Sequence, residues 1–344
     1  MEFTVYIPLY NGEDTIENAI KSVISQTFQD YELLVVNDGS TDRSPAIVER
    51  LMEKHQQIRL VNQENKGLFH ARTTAFTEAK GNYVVALDAD DQVAPNLLET
   101  LHQAIIKHPG IDLIEYCLKR TDFKSAGKIY HKDACYYEGG MLPDYYCMMV
   151  RNKIYYSQCT KAIRREILLD ISEIKDLDRI SMGEDFIHTL DYLWRIKKAL
   201  VIDEPLYLYR YTMTSITNQF KPGIFDDLQQ AYYAMLRFNA HTNNLLSEQN
   251  VTRLIKLKVG DALLYTPTSV KGSTGRIQYV MAVKDLYKNE VLMELIRSDV
   301  RVSAIRAYPL ALLKGKHFYM LLVSKLITSR VRRVRDLILM KLKS

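Results

Sequence analysis

The densest chemistry in this 344-residue chain is a group of carboxylates at the end of an apolar run: Asp88-Ala89-Asp90-Asp91, directly after Tyr83-Val84-Val85-Ala86-Leu87. A β-branched and aromatic run bounded by Gly81-Asn82 reads as a strand covered on both faces. Carboxylates leaving such a strand sit in the crevice where open α/β sheets bind ligands. Side chains alternate in an extended segment, so Asp88 and Asp90 share a side. Hard oxygen donors so placed suit Mg²⁺ or Mn²⁺ carrying the phosphates of a substrate. A solvated Asp-rich turn accounts for the same residues equally well, and the rest of the chain has to decide.

The elements that must position these carboxylates alternate in type. Phe3–Pro8, Tyr31–Val36, Ile58–Gln63 and Tyr83–Leu87 read as strands. Between and after them, helices are expected over residues 16–24, 44–55, 67–79 and 97–107, the first opened by a capping box, Asp14-Thr15-Ile16-Glu17. A βαβαβαβα order implies a doubly wound, mostly parallel α/β sheet with right-handed crossovers and helices on both faces. Parallel strands share one C-terminal edge, so Tyr10-Asn11, Asp38, Asn65 and Asp88/Asp90 should converge there. Asp112–Cys117 is a further strand, 120–160 reads as Tyr- and Lys-rich strand and loop, Glu184–Trp194 as a helix, and Ala199–Tyr211 as a strand with its exit. Beyond Phe225 the period is mostly helical, and Pro222-Gly223 marks a boundary between a domain at 1–220 and a helical region at 221–344.

Composition narrows the class. With 47% hydrophobic and 25% charged residues the chain is globular. The 46 Lys/Arg against 41 Asp/Glu conceal an asymmetry: Lys314–Ser344 holds nine basic residues and one acid, which leaves 37 against 40 in residues 1–313. In His317–Leu342, Phe318, Leu321, Leu322, Leu326, Ile327, Val331, Val334, Leu337 and Ile338 alternate with that basic cluster. The tail reads as an interfacial helix on an anionic membrane, or as a helix packed on the domain with a solvated basic face. No nucleic-acid module is visible, so nucleic acid is not an expected partner. No run approaches the roughly 20 apolar residues of a transmembrane helix. Met1-Glu2-Phe3-Thr4 lacks the basic start of a secretory signal. A cytoplasmic chain, peripheral on the inner face of the cell membrane if the tail binds there, is expected. Cys117, Cys135, Cys147 and Cys159 show no paired spacing and read as reduced, packed thiols.

Several motifs stand in order: Ile7-Pro8-Leu9-Tyr10-Asn11-Gly12, Ser22 with Gln26-Thr27-Phe28, Tyr31-Glu32, Asn37-Asp38-Gly39-Ser40-Thr41-Asp42, Asn65-Lys66-Gly67 with Ala71-Arg72, Gly81, and Asp88-Ala89-Asp90-Asp91. Lys161-Ala162-Ile163-Arg164-Arg165-Glu166, Gly183-Glu184-Asp185 and Leu206-Tyr207-Leu208-Tyr209-Arg210 follow. The ordered set closely resembles family 2 glycosyltransferases of the GT-A fold over roughly residues 3–220. That resemblance implies a nucleotide-sugar donor, a UDP-sugar first of all, a divalent metal, and inversion during transfer to a glycan or lipid-linked acceptor in polysaccharide or glycoconjugate assembly.

It also implies roles. Asp38 would contact the base, with Pro8, Tyr10 and Asn11 shaping its pocket; capping of the next helix is the plainer role for Asp38, and core packing for Tyr10. Gly67, Arg72, Asp88, Ala89 and Arg210 would line the donor. A guanidinium such as that of Arg72 or Arg210 can pair bidentately with carboxylate or phosphate, and an ion pair between Arg72 and Asp88 is equally natural. Asp90 is the first choice for metal ligation, with Asp88 toward ribose or the metal's water and Asp91 standing behind. Asp185 is the expected general base, because an acceptor hydroxyl must lose its proton as it attacks; a helix N-terminal acid explains the same residue more simply. Glu184 would orient the site or touch the acceptor. Lys161, Arg164 and Arg165 read as solvated. Many metal-dependent relatives supply a late histidine ligand, but none stands between His188 and His241; His188 could share the helical face of Asp185, and reads more readily as packing or surface. The rival reading without catalysis is a nucleotide-sugar-binding membrane scaffold. A nucleotidyltransferase would want a phosphate loop that Pro8–Gly12 does not offer.

Overall fold

The structure is a computed structural model that describes residues 1–121, 127–151, 156–170, 174, 177, 180–210, 223–264 and 273–302. Its centre is one ten-stranded sheet. The strands are β1 (Phe3–Leu9), β2 (Tyr31–Asp38), β3 (Ile58–Gln63), β4 (Tyr83–Ala86), β5 (Gln92–Val93), β6 (Leu113–Arg120), β7 (Ile129–Tyr130), β8 (Cys135–Glu138), β9 (Lys161–Arg164) and β10 (Lys198–Tyr209). They lie in the order β3-β2-β1-β4-β9-β6-β10-β5, with β7 on β6 and β8 on β10. The first four strands are mutually parallel, with Phe3 opposite both Tyr31 and Tyr83. From β1 the chain winds to β2 and β3 on one side and to β4 on the other. The carboxyl ends of β1 and β4 therefore flank the switch point, where a crevice opens.

Beyond β4 the sheet is mixed, as the sequence did not indicate. Strand β9 is antiparallel to both β4 and β6, and β10 runs parallel to β6 through two register shifts. Every residue of β1 and β2 is buried, because helices cover both faces. On one face Phe3, Val5 and Ile7 pack with Ile16, Ala19, Ile20 and Val23 of α1 (Ile16–Ile24), Val48 of α2 (Ser44–Met52), and Leu97, Leu98 and Leu101 of α4 (Leu97–Lys107). On the other, Tyr6 meets Phe76 of α3 (Leu68–Glu78) edge to face at 5.8 Å. Gly81 is required where β4 begins: a Cβ there would lie 2.4 Å from Phe3 C and Thr4 N.

Two local expectations fail. The capping box does not form; Thr15 is the N-cap of α1 without a side-chain cap bond, and Glu17 pairs with Lys21 and Arg50 instead. The stretch read as strand and loop contains α5 (Leu142–Arg151), whose Tyr145, Tyr146 and Met149 are buried. Short helices α6 (Arg165–Leu168) and α7 (Glu184–Leu193) follow. All four cysteines are free thiols, Cys117 and Cys159 buried.

The chain divides into two compact units, one spanning Met1–Met213 with Ala234–Leu245, the other Thr214–Tyr233 with Leu246–Ser344. The described part of the second unit is helical: the start of α8 (Ile224–His241), α9 (Glu248–Leu264), α10 (Ser273–Lys288) and α11 (Glu290–Arg297). Asn289 caps α11 by accepting from Leu292 N at 3.0 Å, and Lys256 Nζ donates to Ser298 O and Val300 O at its far end, each at 2.8 Å. Residues 211–222, which hold the expected boundary, and the basic tail lie outside the described residues. Among the described residues no helix is long and apolar enough to cross a membrane.

Candidate active site

At the end of β1, Pro8 is buried and Tyr10 is 53% exposed, so Tyr10 is not a core residue and its ring face is open. Asn11 takes a left-handed turn (φ +49°), which Asn tolerates better than most residues. Its N–H donates to Ser40 Oγ (3.0 Å) and its Oδ1 accepts from Thr41 N (2.8 Å), tying β1 to the loop after β2. Asp38 ends β2 and is 3% exposed. Its Oδ1 accepts from Gln63 Nε2 and Lys66 N and its Oδ2 from Gly67 N, all at 2.8 Å. Asp38 thus holds the entry of α3 rather than capping α2. Gly67 is the N-cap of α3.

Arg72, one turn into α3, is the hub of the site. It is 1% exposed. Nη2 donates to Asp88 Oδ1 at 3.1 Å, Nη1 makes a very close contact with Asp185 Oδ1, and Glu184 Oε1 stands 3.7 Å from Nη1. Burial works against its charge, but Asp185 and Asp88 outweigh that and hold the guanidinium firmly protonated. Asp88 and Asp185, far apart in sequence, are brought to one cation. The chain reaches Asp185 through Gly183, left-handed at φ +89°, a conformation other residues rarely adopt. Burial lifts the Asp185 carboxyl, with Arg72 opposing. Burial and then Asp185 push Glu184 up to about 7.

The remaining acids divide. Asp90 is exposed; desolvation by the surrounding protein and then Asp88 raise its carboxyl, and Arg210 lowers it. Asp91 is 2% exposed and braces β10: Oδ2 accepts from Tyr207 Oη and Oδ1 from Arg210 N, both at 2.6 Å. Burial and then Asp88 push it up to about 8. Arg210 is exposed and its charge reaches Asp90, while Ala89 packs half-buried against the hydrophobic core.

The donor set fits a divalent cation. Asp88 and Asp90 offer carboxylates that destabilise one another's neighbours, and a cation would relieve that. Among the described residues there is no group of three His, Cys, Asp or Glu side chains able to hold a metal, so phosphates and water would complete the shell. His188 supplies no ligand: it is fully buried, stacked 4.3 Å from Phe69, with Nε2 3.2 Å from Thr73 Oγ1.

Lys161 corrects the sequence reading. Far from solvated, it is 1% exposed and 3.6 Å from Glu115, itself fully buried and paired with Lys132 at 2.7 Å. Burial pushes Lys161 down to about 8. Arg164 is half-buried, donating to Ile111 O at 2.8 Å. Three site residues went unnoticed in the sequence. Tyr207 Oη accepts from Asp88 N (3.2 Å) while donating to Asp91; it lies within a recognised motif, but nothing marked its hydroxyl. Cys159 Sγ donates to Asp88 Oδ2 (3.1 Å), and Gln158 Nε2 to the Asp185 carbonyl (3.1 Å); no sequence signal points to either.

Comparison with known proteins bears on the family and the fold. Residues 4–171 match the model of "Glycosyl transferase family 2". Among curated proteins, an uncharacterized glycosyltransferase of Bacillus subtilis, EpsJ, is 28% identical over 253 residues, 69% of this chain and 70% of that one. Among solved structures, residues 1–349 of S. aureus TarS superpose with a TM-score of 0.66 at 20% identity, over 96% of this chain and 92% of that one. The same fragment has been solved with UDP-GlcNAc and with UDP. A Pyrobaculum calidifontis mannosyltransferase, solved with GDP-Man and Mn²⁺, has a TM-score of 0.50 at 18% identity, over 94% and 87% of the two chains. The motif order, the GT-A sheet that carries it and the family match make residues 4–171 a family 2 glycosyltransferase domain.

Proposed function

We propose that the chain moves a sugar from a UDP-sugar, of the N-acetylhexosamine or hexose type, to a hydroxyl of a saccharide or lipid-linked glycan by a single inverting displacement. The observation that carries this is the convergence of Asp88 and Asp185 on Arg72. That convergence supports the reading, because an in-line displacement needs donor-side and base-side groups close together. The UDP-GlcNAc complex of the TarS fragment supports a uridine donor.

In this reading Tyr10 stacks on the base, Asp38 accepts from it through Oδ2, and Arg210 faces the diphosphate. Asp88 and Asp90 would hold a divalent metal that, when bound, neutralises charge on the leaving diphosphate. Asp185 takes the proton of the attacking hydroxyl; burial raises its basicity above that of an ordinary carboxylate. Arg72 keeps it aimed and ionised. A cytoplasmic site, with the basic tail of Lys314–Ser344 on an anionic membrane surface, would suit a lipid-linked acceptor; a tail truncation that leaves vesicle partitioning unchanged would remove that part.

The test is Asp185→Asn. Binding of UDP with Mn²⁺ should survive, and transfer should fall by roughly 10²–10⁴-fold, the usual worth of a general base. Normal transfer by this variant sinks the assignment.

A further inference from the structure

The turn Gln158–Thr160 and the first residue of β9, Lys161, belong to no role assigned above, yet each side chain reaches a different part of the site's framework. Gln158 is 2% exposed, and its Nε2 donates to the Asp185 carbonyl (3.1 Å) and to Thr189 Oγ1 (2.9 Å), both on α7. Cys159 is 5% exposed, and its Sγ donates to Asp88 Oδ2 (3.1 Å) at the end of β4. Thr160 Oγ1 accepts from Lys132 Nζ (3.0 Å). Lys161 faces Glu115 of β6, which Lys132 also pairs. Neighbouring residues of one short turn thus hold the base helix and the donor carboxylate. An ion cluster with no exposure anchors the turn from beneath.

The chemistry of each contact matters. A thiol is a weak donor, so the bond to Asp88 Oδ2 orients the carboxylate without neutralising it. Asp88 Oδ1 is taken by Arg72, so the thiol fixes the rotation about that ion pair. Gln158 bonds a backbone carbonyl in the first turn of α7, so it positions the Asp185 side chain by placing its main chain. An α-helix leaves the carbonyls of its first turn able to accept more than one bond. The amide uses that capacity without competing with the helix.

We propose that Gln158 and Cys159 are positioning residues that set the separation between donor carboxylate and general base, Cys159 acting on donor and metal binding and Gln158 on turnover. This rests on the reading of Asp88 and Asp185 given above. Neither side chain need touch substrate. The geometry separates their effects: one bond ends on the carboxylate that faces the nucleotide, the other on the helix that carries the base.

The test uses the full chain, with UDP plus Mn²⁺ binding by calorimetry and slow UDP-GlcNAc hydrolysis as the turnover, each corrected for the folded fraction. Cys159→Ala should weaken UDP–Mn²⁺ binding about 5–10-fold, and Cys159→Ser, which keeps a donor, should restore it to within about twofold, as expected for one hydrogen bond to a charged group. Gln158→Leu should leave that binding within about twofold and lower turnover at saturating donor at least about tenfold; Gln158→Glu, which loses the amide donor, should do the same. A purely structural role would move melting temperature and leave both per-molecule constants alone, or move them together. Variants that bind and turn over as the wild type does, while Asp185→Asn is inactive, overturn this proposal and spare the functional reading. Wild-type protein that binds no UDP, or an Asp185→Asn variant with normal turnover, overturns both.

Discussion

Replacing Glu184 with Gln isolates the electrostatic strain of the site. The Glu184 side chain is 19% exposed, 3.7 Å from Arg72 and next to Asp185. Burial and Asp185 lift its carboxyl from the ordinary 4.5 to about 7. An acid whose folded pKa lies above its unfolded one binds its proton more tightly when folded. Its stabilising contribution is therefore complete below pH 4.5 and is lost as pH rises through about 7. At about 1.4 kcal/mol per pH unit, the loss across that window is roughly 3 kcal/mol. Gln is the isostere of the protonated acid and carries no such loss. Urea unfolding of wild type and Glu184→Gln from pH 4 to pH 8, with chelator present, should give curves that coincide near pH 4. They should separate to roughly 2–3 kcal/mol in favour of the variant by pH 8. Asp185, raised by the same burial, titrates in both proteins and largely cancels. A difference curve that stays flat across this range would refute the claim that Glu184 ionises against its surroundings.

Arg72→Met leaves Asp88, Glu184 and Asp185 without their shared cation, and unfolding free energy at pH 8 should fall by about 3–5 kcal/mol, the cost of breaking a buried pair; an unchanged urea midpoint contradicts the pairing. Tyr207→Phe removes the hydroxyl between Asp88 N and Asp91 and leaves a buried carboxylate oxygen unpaired, so thermal unfolding should report a loss of about 1–3 kcal/mol. Gly81→Ala drives a methyl into the backbone of β1 and should cost about 2–3 kcal/mol, read as a lowered melting temperature.

Much of the first half of the sheet was legible because β1, β2 and β4 are buried on both sides and read as apolar runs; Ile58–Gln63 and Leu97–Lys107 also agree at both ends with the edge strand β3 and with α4. Short-range cues stop working where pairing becomes non-local. Strand β9 is four residues long and lies between β4 and β6, and nothing in Lys161-Ala162-Ile163-Arg164 announces an antiparallel insertion. Polarity misleads most at Lys161, which reads as solvated and is buried because its partner, Glu115, lies far along the chain and is itself buried and paired with Lys132. In the site, the acids and Arg72 were legible from their types and motif order. The residues that aim them were not, since a lone Cys or Gln carries no pattern. Residue types announce reactive groups, whereas their supports are chosen by shape and position in the assembled fold.

The charges imply an order of binding. Asp88, Asp90, Asp91, Glu184 and Asp185 stand close to the cations Arg72 and Arg210, with buried Lys161 acting on Asp185 from behind. Asp90, Asp91, Glu184 and Asp185 are all shifted upward, by burial first and by neighbouring carboxylates after it, so a bound cation would relieve the repulsion among them. A nucleoside diphosphate brings further negative charge and would be repelled by the same field. A cation alone would gain only the Asp88 and Asp90 oxygens, and Asp88 already shares its own with Arg72 and Cys159. Cation and diphosphate should therefore bind as a pair, each supplying what the other needs. Calorimetry should show UDP affinity falling at least about 100-fold in chelator, and Mn²⁺ alone binding no tighter than about millimolar, because linkage makes the coupling reciprocal. If UDP bound equally well in chelator, Arg210 and Arg72 would be answering the diphosphate unaided, and the reading of Asp88 and Asp90 as a cation-dependent pair would fail.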